Sequence, residues 1–133
     1  MENIIKTVIE LGNFKTLIRL IQKAGLTQNL SNNGQYTFFA PTDVAFSKYS
    51  TDKIENLLKD KDRLNTVLKA HIISKKILSS SLANTKKMKS INGKDLIIST
   101  AKGLRINDIN LIKTDIECSN GIIHMIDNVM FLK

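Results

Sequence analysis

The sequence predicts an α+β domain with its helices mostly in the N-terminal half and short strands after them. Three observations support this class. Apolar residues recur at helical spacing through the first half of the chain, short strand-like segments divided by turn residues fill the second half, and the only proline separates a strand-like from a helix-like stretch.

The elements follow in order. Ile4, Ile5, Val8 and Ile9, then Leu17, Ile18, Leu20 and Ile21, mark the inner faces of two helices, with Gly12-Asn13 between them and Gly25 closing the second. The polar run from Gln28 to Gln35, containing Ser31-Asn32-Asn33-Gly34, is a loop by composition. Thr37, Phe38 and Phe39 favour an extended chain, and Pro41 has no N–H for a central ladder, so the strand ends there. Thr42 is placed to cap a new helix, with the carboxylate of Asp43 in its first turn. Phe38 or Phe39, Ala45 and Phe46 are the expected core residues of this stretch.

Ser50-Thr51-Asp52 caps a helix carrying Ile54, Leu57 and Leu58, and another runs from Lys61 to His71 with Leu64, Val67 and Leu68 inward. Ile72 and Ile73 begin an extended exit. Beyond Lys86, strands are predicted over Lys89 to Ile91, Asp95 to Ser99, Leu104 to Ile106, Asn110 to Glu117 and Gly121 to Phe131. Turns at Asn92-Gly93, Lys102-Gly103, Asn107-Asp108 and Asn120-Gly121 divide them. Neither an internal repeat nor a linker interrupts residues 1–133, so one domain is expected.

Two boxes within this frame resemble the fasciclin domain family. Thr37-Phe38-Phe39-Ala40-Pro41-Thr42-Asp43-Val44-Ala45-Phe46 is similar to the family's first signature box, and Ser119-Asn120-Gly121-Ile122-Ile123-His124-Met125-Ile126-Asp127-Asn128-Val129 to its second. The resemblance implies a β-wedge packed with several helices and a non-enzymatic role in adhesion. It also implies that Thr37, Phe39, Ala40, Pro41, Thr42, Asp43, Ala45 and Phe46 in the first box are mainly architectural, as are Asn120, Gly121, Ile123, His124, Ile126 and Asp127 in the second. The family usually carries Tyr-His where this chain has Ala70-His71. A binding role that depends on the phenol does not carry over from the resemblance, while His71 is expected to be a hydrogen-bonded packing residue, held by a backbone group or by Thr42 or Asp43.

A nucleophilic triad of Ser119, His124 and Asp127 is disfavoured, because near neighbours on one strand rarely converge around a substrate and no nucleophile elbow accompanies Ser119. Asn120-Gly121 reads instead as a turn, and Asp127 as an anchor for the following backbone. Strand alternation sends His124 to the face opposite Ile123 and Met125. Two histidines and one cysteine show no zinc spacing, Asp108, Asp115 and Glu117 do not form a calcium loop, and no phosphate-cradling glycine motif is present. Neither a metal nor a cofactor is expected. Cys118 alone permits no intrachain disulfide and reads as a small buried hydrophobe.

The formal net charge is +8, from 20 basic and 12 acidic residues. This balance favours anionic partners, and the densest local run is Lys86-Lys87-Met88-Lys89, with Lys75-Lys76 upstream. Lys75, Lys76, Lys86, Lys87 and Lys89 are therefore candidate contacts for a protein or an acidic polysaccharide. No aromatic residue interleaves with them, which disfavours base stacking and hence nucleic acid. Asp115 and Ile116 are further candidates. They match an Asn-Lys-Asp-Ile-Leu segment that some animal fasciclin domains use in integrin recognition, although a strand end with its isoleucine in the core is the simpler expectation. No apolar run is long enough for a transmembrane helix, and the residues after Met1 lack the pattern of a secretory signal. The resemblance implies a cell-surface, periplasmic or extracellular setting if an export signal has been removed, and a native start at Met1 would imply the cytoplasm.

Overall fold

A computed structural model describes residues 2–31 and 34–130. Asn32 and Asn33 of the expected loop, and Phe131 at the end of the last expected strand, lie outside the described residues. The elements are α1 (Ile4–Leu11), α2 (Lys15–Ala24), β1 (Tyr36–Pro41), α3 (Asp43–Ser47), α4 (Thr51–Lys59), α5 (Lys61–Lys69), β2 (Ile72–Ile73), α6 (Ser79–Leu82), β3 (Lys87–Lys89), β4 (Asp95–Ser99), β5 (Arg105–Ile106), β6 (Ile109–Cys118) and β7 (Gly121–Ile126). The fold is thus α+β, as the sequence predicts.

The strands form one sheet in the order β2-β1-β7-β6-β5-β4-β3. All pairings are antiparallel except that of β1 with β7, where Phe38 lies beside Ile123 and Phe39 beside His124. Although β2 and β3 stand at opposite ends of this order, the sheet curls until the turn after β3 reaches β2: the Ile91 N–H donates to Ile72 O at 2.8 Å. A wedge with a seam between its two edges results.

The central strands are buried on both faces, because successive side chains of a strand point opposite ways. Phe38 joins the cluster beneath the helices, with Leu17, Leu57, Leu64, Ile123 and Met125. Phe39 enters a second cluster inside the curl, with Ile73, Leu82, Leu96, Ile106 and Ile126. Both phenylalanines are fully buried, and burying each contributes about 2–3 kcal/mol.

Several boundaries differ from those predicted. The helix expected to reach His71 ends at Lys69, with Ala70 as its cap, since the chain must turn there to enter β2. The strand expected at Lys89 to Ile91 occupies Lys87–Lys89, because Ser90 to Gly93 close a turn through Gly93 N–H→Ser90 O at 3.0 Å. The last strand stops at Ile126. The turn expected at Asn120-Gly121 uses Ser119 and Asn120, and Gly121 already pairs with Cys118. Helix α6 was not foreseen, its sequence SSSL being too short to show a period. Asn107-Asp108 does form the expected tight hairpin, both residues having positive φ (48° and 62°).

Candidate functional site

The first box is built from the strand outward. Thr37 is fully buried, and its hydroxyl donates to Lys75 O at 2.6 Å while accepting from the Ile77 N–H at 2.8 Å. Pro41 ends β1, where its missing N–H costs no ladder bond. Thr42 Oγ1 accepts from the Ala45 N–H at 3.3 Å and so caps α3, whose Ala45 and Phe46 enter the core with Ala40 of β1. Asp43 sits in the first turn of α3 but does more than the sequence indicated. Its carboxylate accepts from the Lys15 and Thr16 N–H groups at 3.2 and 2.9 Å, capping α2, which has no side-chain cap from its own Phe14.

The second box closes the fold from the other end. Asn120 Oδ1 accepts from the Ile4 N–H at 2.9 Å and its amide donates to Leu30 O at 2.7 Å, binding α1 and the loop after α2 to the β6–β7 turn. Gly121 allows β7 to approach β1, since a Cβ there would lie 2.1 Å from Tyr36 O. Ile123 and Ile126 are buried in opposite clusters. Asp127 meets the Asn110 amide at 3.5 Å rather than the backbone that follows it; there, Asn128 Oδ1 accepts from the Val129 N–H at 2.8 Å.

Both histidines are buried and held by backbone groups. His71 Nδ1 donates to Val67 O at 2.7 Å, and Nε2 accepts from the Met130 N–H at 2.9 Å. Neither Thr42 nor Asp43 is its partner. Burial pushes its pKa down to about 4, against an opposing contribution from the Val67 bond. His124 has the converse tautomer: Nε2 donates to Ile77 O at 2.8 Å and Nδ1 accepts from the Asp115 N–H at 3.1 Å. Its ring faces away from Ile123 and Met125 and stacks on Phe39 at 5.6 Å. Burial lowers its pKa as well.

Among the described residues no hydrogen bond joins Ser119, His124 and Asp127, and both His124 nitrogens are occupied. No group of three metal-ligating side chains is assembled among those residues either. Cys118 is buried, and that burial raises its thiol pKa. Asp115 lies in a bulged part of β6 at φ 61°. Its carboxylate accepts from the Ser79 N–H at 2.8 Å and from the Ser79 hydroxyl, at the start of α6. Desolvation alone would raise its pKa, but the Ser79 bonds outweigh it and hold the carboxyl below its usual range. Ile116 is half-buried against the larger cluster.

The predicted lysines divide. Lys75, Lys87 and Lys89 gather around an open depression of about 350 Å³ on the seam. One lip carries Ile73, Ser74 and Lys75, and the other carries Thr85, Lys87, Met88 and Lys89. Lys89 pairs with Asp95 at 3.0 Å, and Asp95 is held below the usual carboxylate range first by that hydrogen bond, then by the charges of Lys89 and Lys87. Lys76 and Lys86 do not line the depression, and Lys76 pairs with Glu117 at 3.0 Å. A second basic depression, of about 900 Å³, lies between helices and includes Arg19, Lys23, Lys59 and Lys61, with Arg19 paired to Glu55 at 3.4 Å. No local charge run announces it, because its cations come from three separate helices.

A sequence model of the fasciclin domain matches residues 12–132. The chain belongs to the fasciclin domain family. This fasciclin domain is 33% identical over 132 residues to the uncharacterized protein sll1735 of Synechocystis, covering 99% of each chain. It is 33% identical over 120 residues to the transforming growth factor-beta-induced protein ig-h3 of Sus scrofa, spanning 90% of this chain but 18% of that protein. It is also 32% identical over 100 residues to the cell surface glycolipoprotein MPB83 of Mycobacterium bovis, covering 74% of this chain and 44% of that one. Its fold superposes with a TM-score of 0.82 on a FAS1 domain pair from the insect cell adhesion molecule Fasciclin I, at 18% identity, over 98% of this chain and 51% of that one. The signature residues of this fasciclin domain thus act chiefly as caps, close-packing positions and buried hydrogen-bond partners. Exposed cations gather at two places, the seam and the depression between the helices, and only the seam joins two sheet edges.

Proposed function

We propose that this fasciclin domain is a non-enzymatic interaction module of the adhesion type, acting at a cell surface or in an extracellular matrix and receiving an acidic partner at the seam. The observation that carries this reading is the convergence of Lys75, beyond one edge strand, with Lys87 and Lys89 of the other, around a single depression. Lysines distant in sequence are brought together, and a concave site focuses their field on one ligand. Both an acidic polysaccharide and an acidic protein offer the required charge. The relation to a cell surface glycolipoprotein supports a cell-surface setting.

Binding to a soluble polyuronate at low salt, followed by calorimetry, tests the reading. The double substitution Lys75→Glu/Lys87→Glu is expected to weaken binding about tenfold or more, and the charge-matched Lys102→Glu/Lys113→Glu, away from the seam, about twofold at most. Equal losses from the two variants would show that net charge alone attracts the polymer, and the seam would lose its role.

A further inference from the structure

We infer that the seam takes an extended acidic protein segment, added as a strand to the free edge of β3. The inference rests on the proposed acidic docking and names the kind of partner. It starts from the pattern of backbone bonds. Ile98 N–H→Lys86 O at 2.9 Å and Ser90 N–H→Lys94 O at 2.9 Å flank the β3–β4 pairing of Lys87 with Ile97, Met88 with Leu96 and Lys89 with Asp95. Antiparallel ladders alternate, so Met88 directs its N–H and C=O to β4, while Lys87 and Lys89 direct theirs outward into the seam.

On the opposite lip, Phe39 N–H→His71 O at 2.9 Å fixes the same alternation. The backbone of Ile72 points away from β1, and its carbonyl is the one that Ile91 reaches. The two edges therefore meet once, at Ile91 and Ile72, and diverge around the depression, where the outward groups of Lys87 and Lys89 have no partner strand among the described residues.

Side chains then select the occupant. Lys87 and Lys89, two apart, project on the same face, with Met88 turned to the inner cluster. In an antiparallel addition, residues bonded to Lys87 and Lys89 place their own side chains directly opposite, with Cβ atoms about 5 Å away. Carboxylates at alternate positions of the incoming segment would face these lysines, and a third could reach Lys75. The same lysines guard the edge against a second copy of this basic chain, since like charges directly opposite are unfavourable. The edge is therefore closed to itself and open to an acidic strand, a form of recognition in which main-chain bonds supply affinity and alternate side chains supply specificity.

The probe is an eight-residue peptide of alternating Glu and Thr, compared with the same residues in block order and with versions N-methylated at every Glu or at every Thr. The alternating peptide is expected to bind about tenfold more tightly than the block peptide of equal charge, and to protect the Lys87 and Lys89 amide protons from exchange. Methylation at Glu removes the amides aimed at β3 and is expected to abolish the gain, whereas methylation at Thr leaves it. Equal binding by all four peptides, without amide protection, would overturn strand addition while leaving electrostatic docking intact. No loss of peptide or polyuronate binding on Lys75→Glu/Lys87→Glu would instead remove the docking site itself.

Discussion

His71 and His124 each commit both ring nitrogens to backbone groups, one as donor and one as acceptor, and this requires the neutral imidazole. Protonating either would set a new N–H against the N–H of Met130 or Asp115. The folded pKa is therefore below the unfolded value for both, and the unfolded chain takes up protons that the fold refuses. Stability is complete above about pH 6.5 and declines as pH falls toward 4. For His71, the fall from 6.5 to about 4 corresponds to roughly 3 kcal/mol. Urea midpoints measured between pH 7 and 4.5 should fall steadily, and a flat profile would contradict this account. Gly121 makes a different demand. Gly121→Ala places a methyl 2.1 Å from Tyr36 O, so β1 and β7 must part, at an expected cost of about 3 kcal/mol or more. A loss under about 1 kcal/mol on chemical denaturation would show that the strands can separate cheaply.

At the scale of elements, helix starts were legible where the cap is local, as with Thr42 for α3 and Ser50 for α4. The caps of α1 and α2 were only partly so. Asn3 bonds the Lys6 N–H nearby, but Asn120 holds the Ile4 N–H and Asp43 holds those of Lys15 and Thr16, and such partners are set by tertiary packing. Asp43→Ala is expected to destabilise by about 1–2 kcal/mol, with Asp43→Asn losing less because one acceptor remains. Hydrogen exchange should quicken first at Lys15 and Thr16, and unchanged exchange there would deny the cap. The strand pattern of the second half was readable from turn chemistry at Asn107-Asp108, and the alternation of His124 against Ile123 and Met125 from the period of a strand. The candidate site was half legible. The lysines are visible as local runs, but nothing in residues 72–91 announces that Lys75 will meet Lys87 and Lys89, because the curl of the whole sheet brings them together.

At the scale of the whole molecule, β1 unites the two apolar clusters by sending Phe38 into one and Phe39 into the other. The chain is therefore expected to unfold as one cooperative domain, with the loss of helical circular dichroism coinciding with the loss of amide protection at Leu96 and Ile106 inside the curl. Separate transitions would show that the helical layer and the curl are independent units. The parallel pairing of Tyr36–Pro41 with Gly121–Ile126 also governs how the molecule comes into being. On the ribosome, β1 emerges well before its principal partner and must wait, with Phe38 and Phe39 unburied, until some eighty intervening residues have been synthesised. Closing so long a loop before any of its contacts form slows folding and prolongs the exposure of β1 to aggregation until β7 arrives.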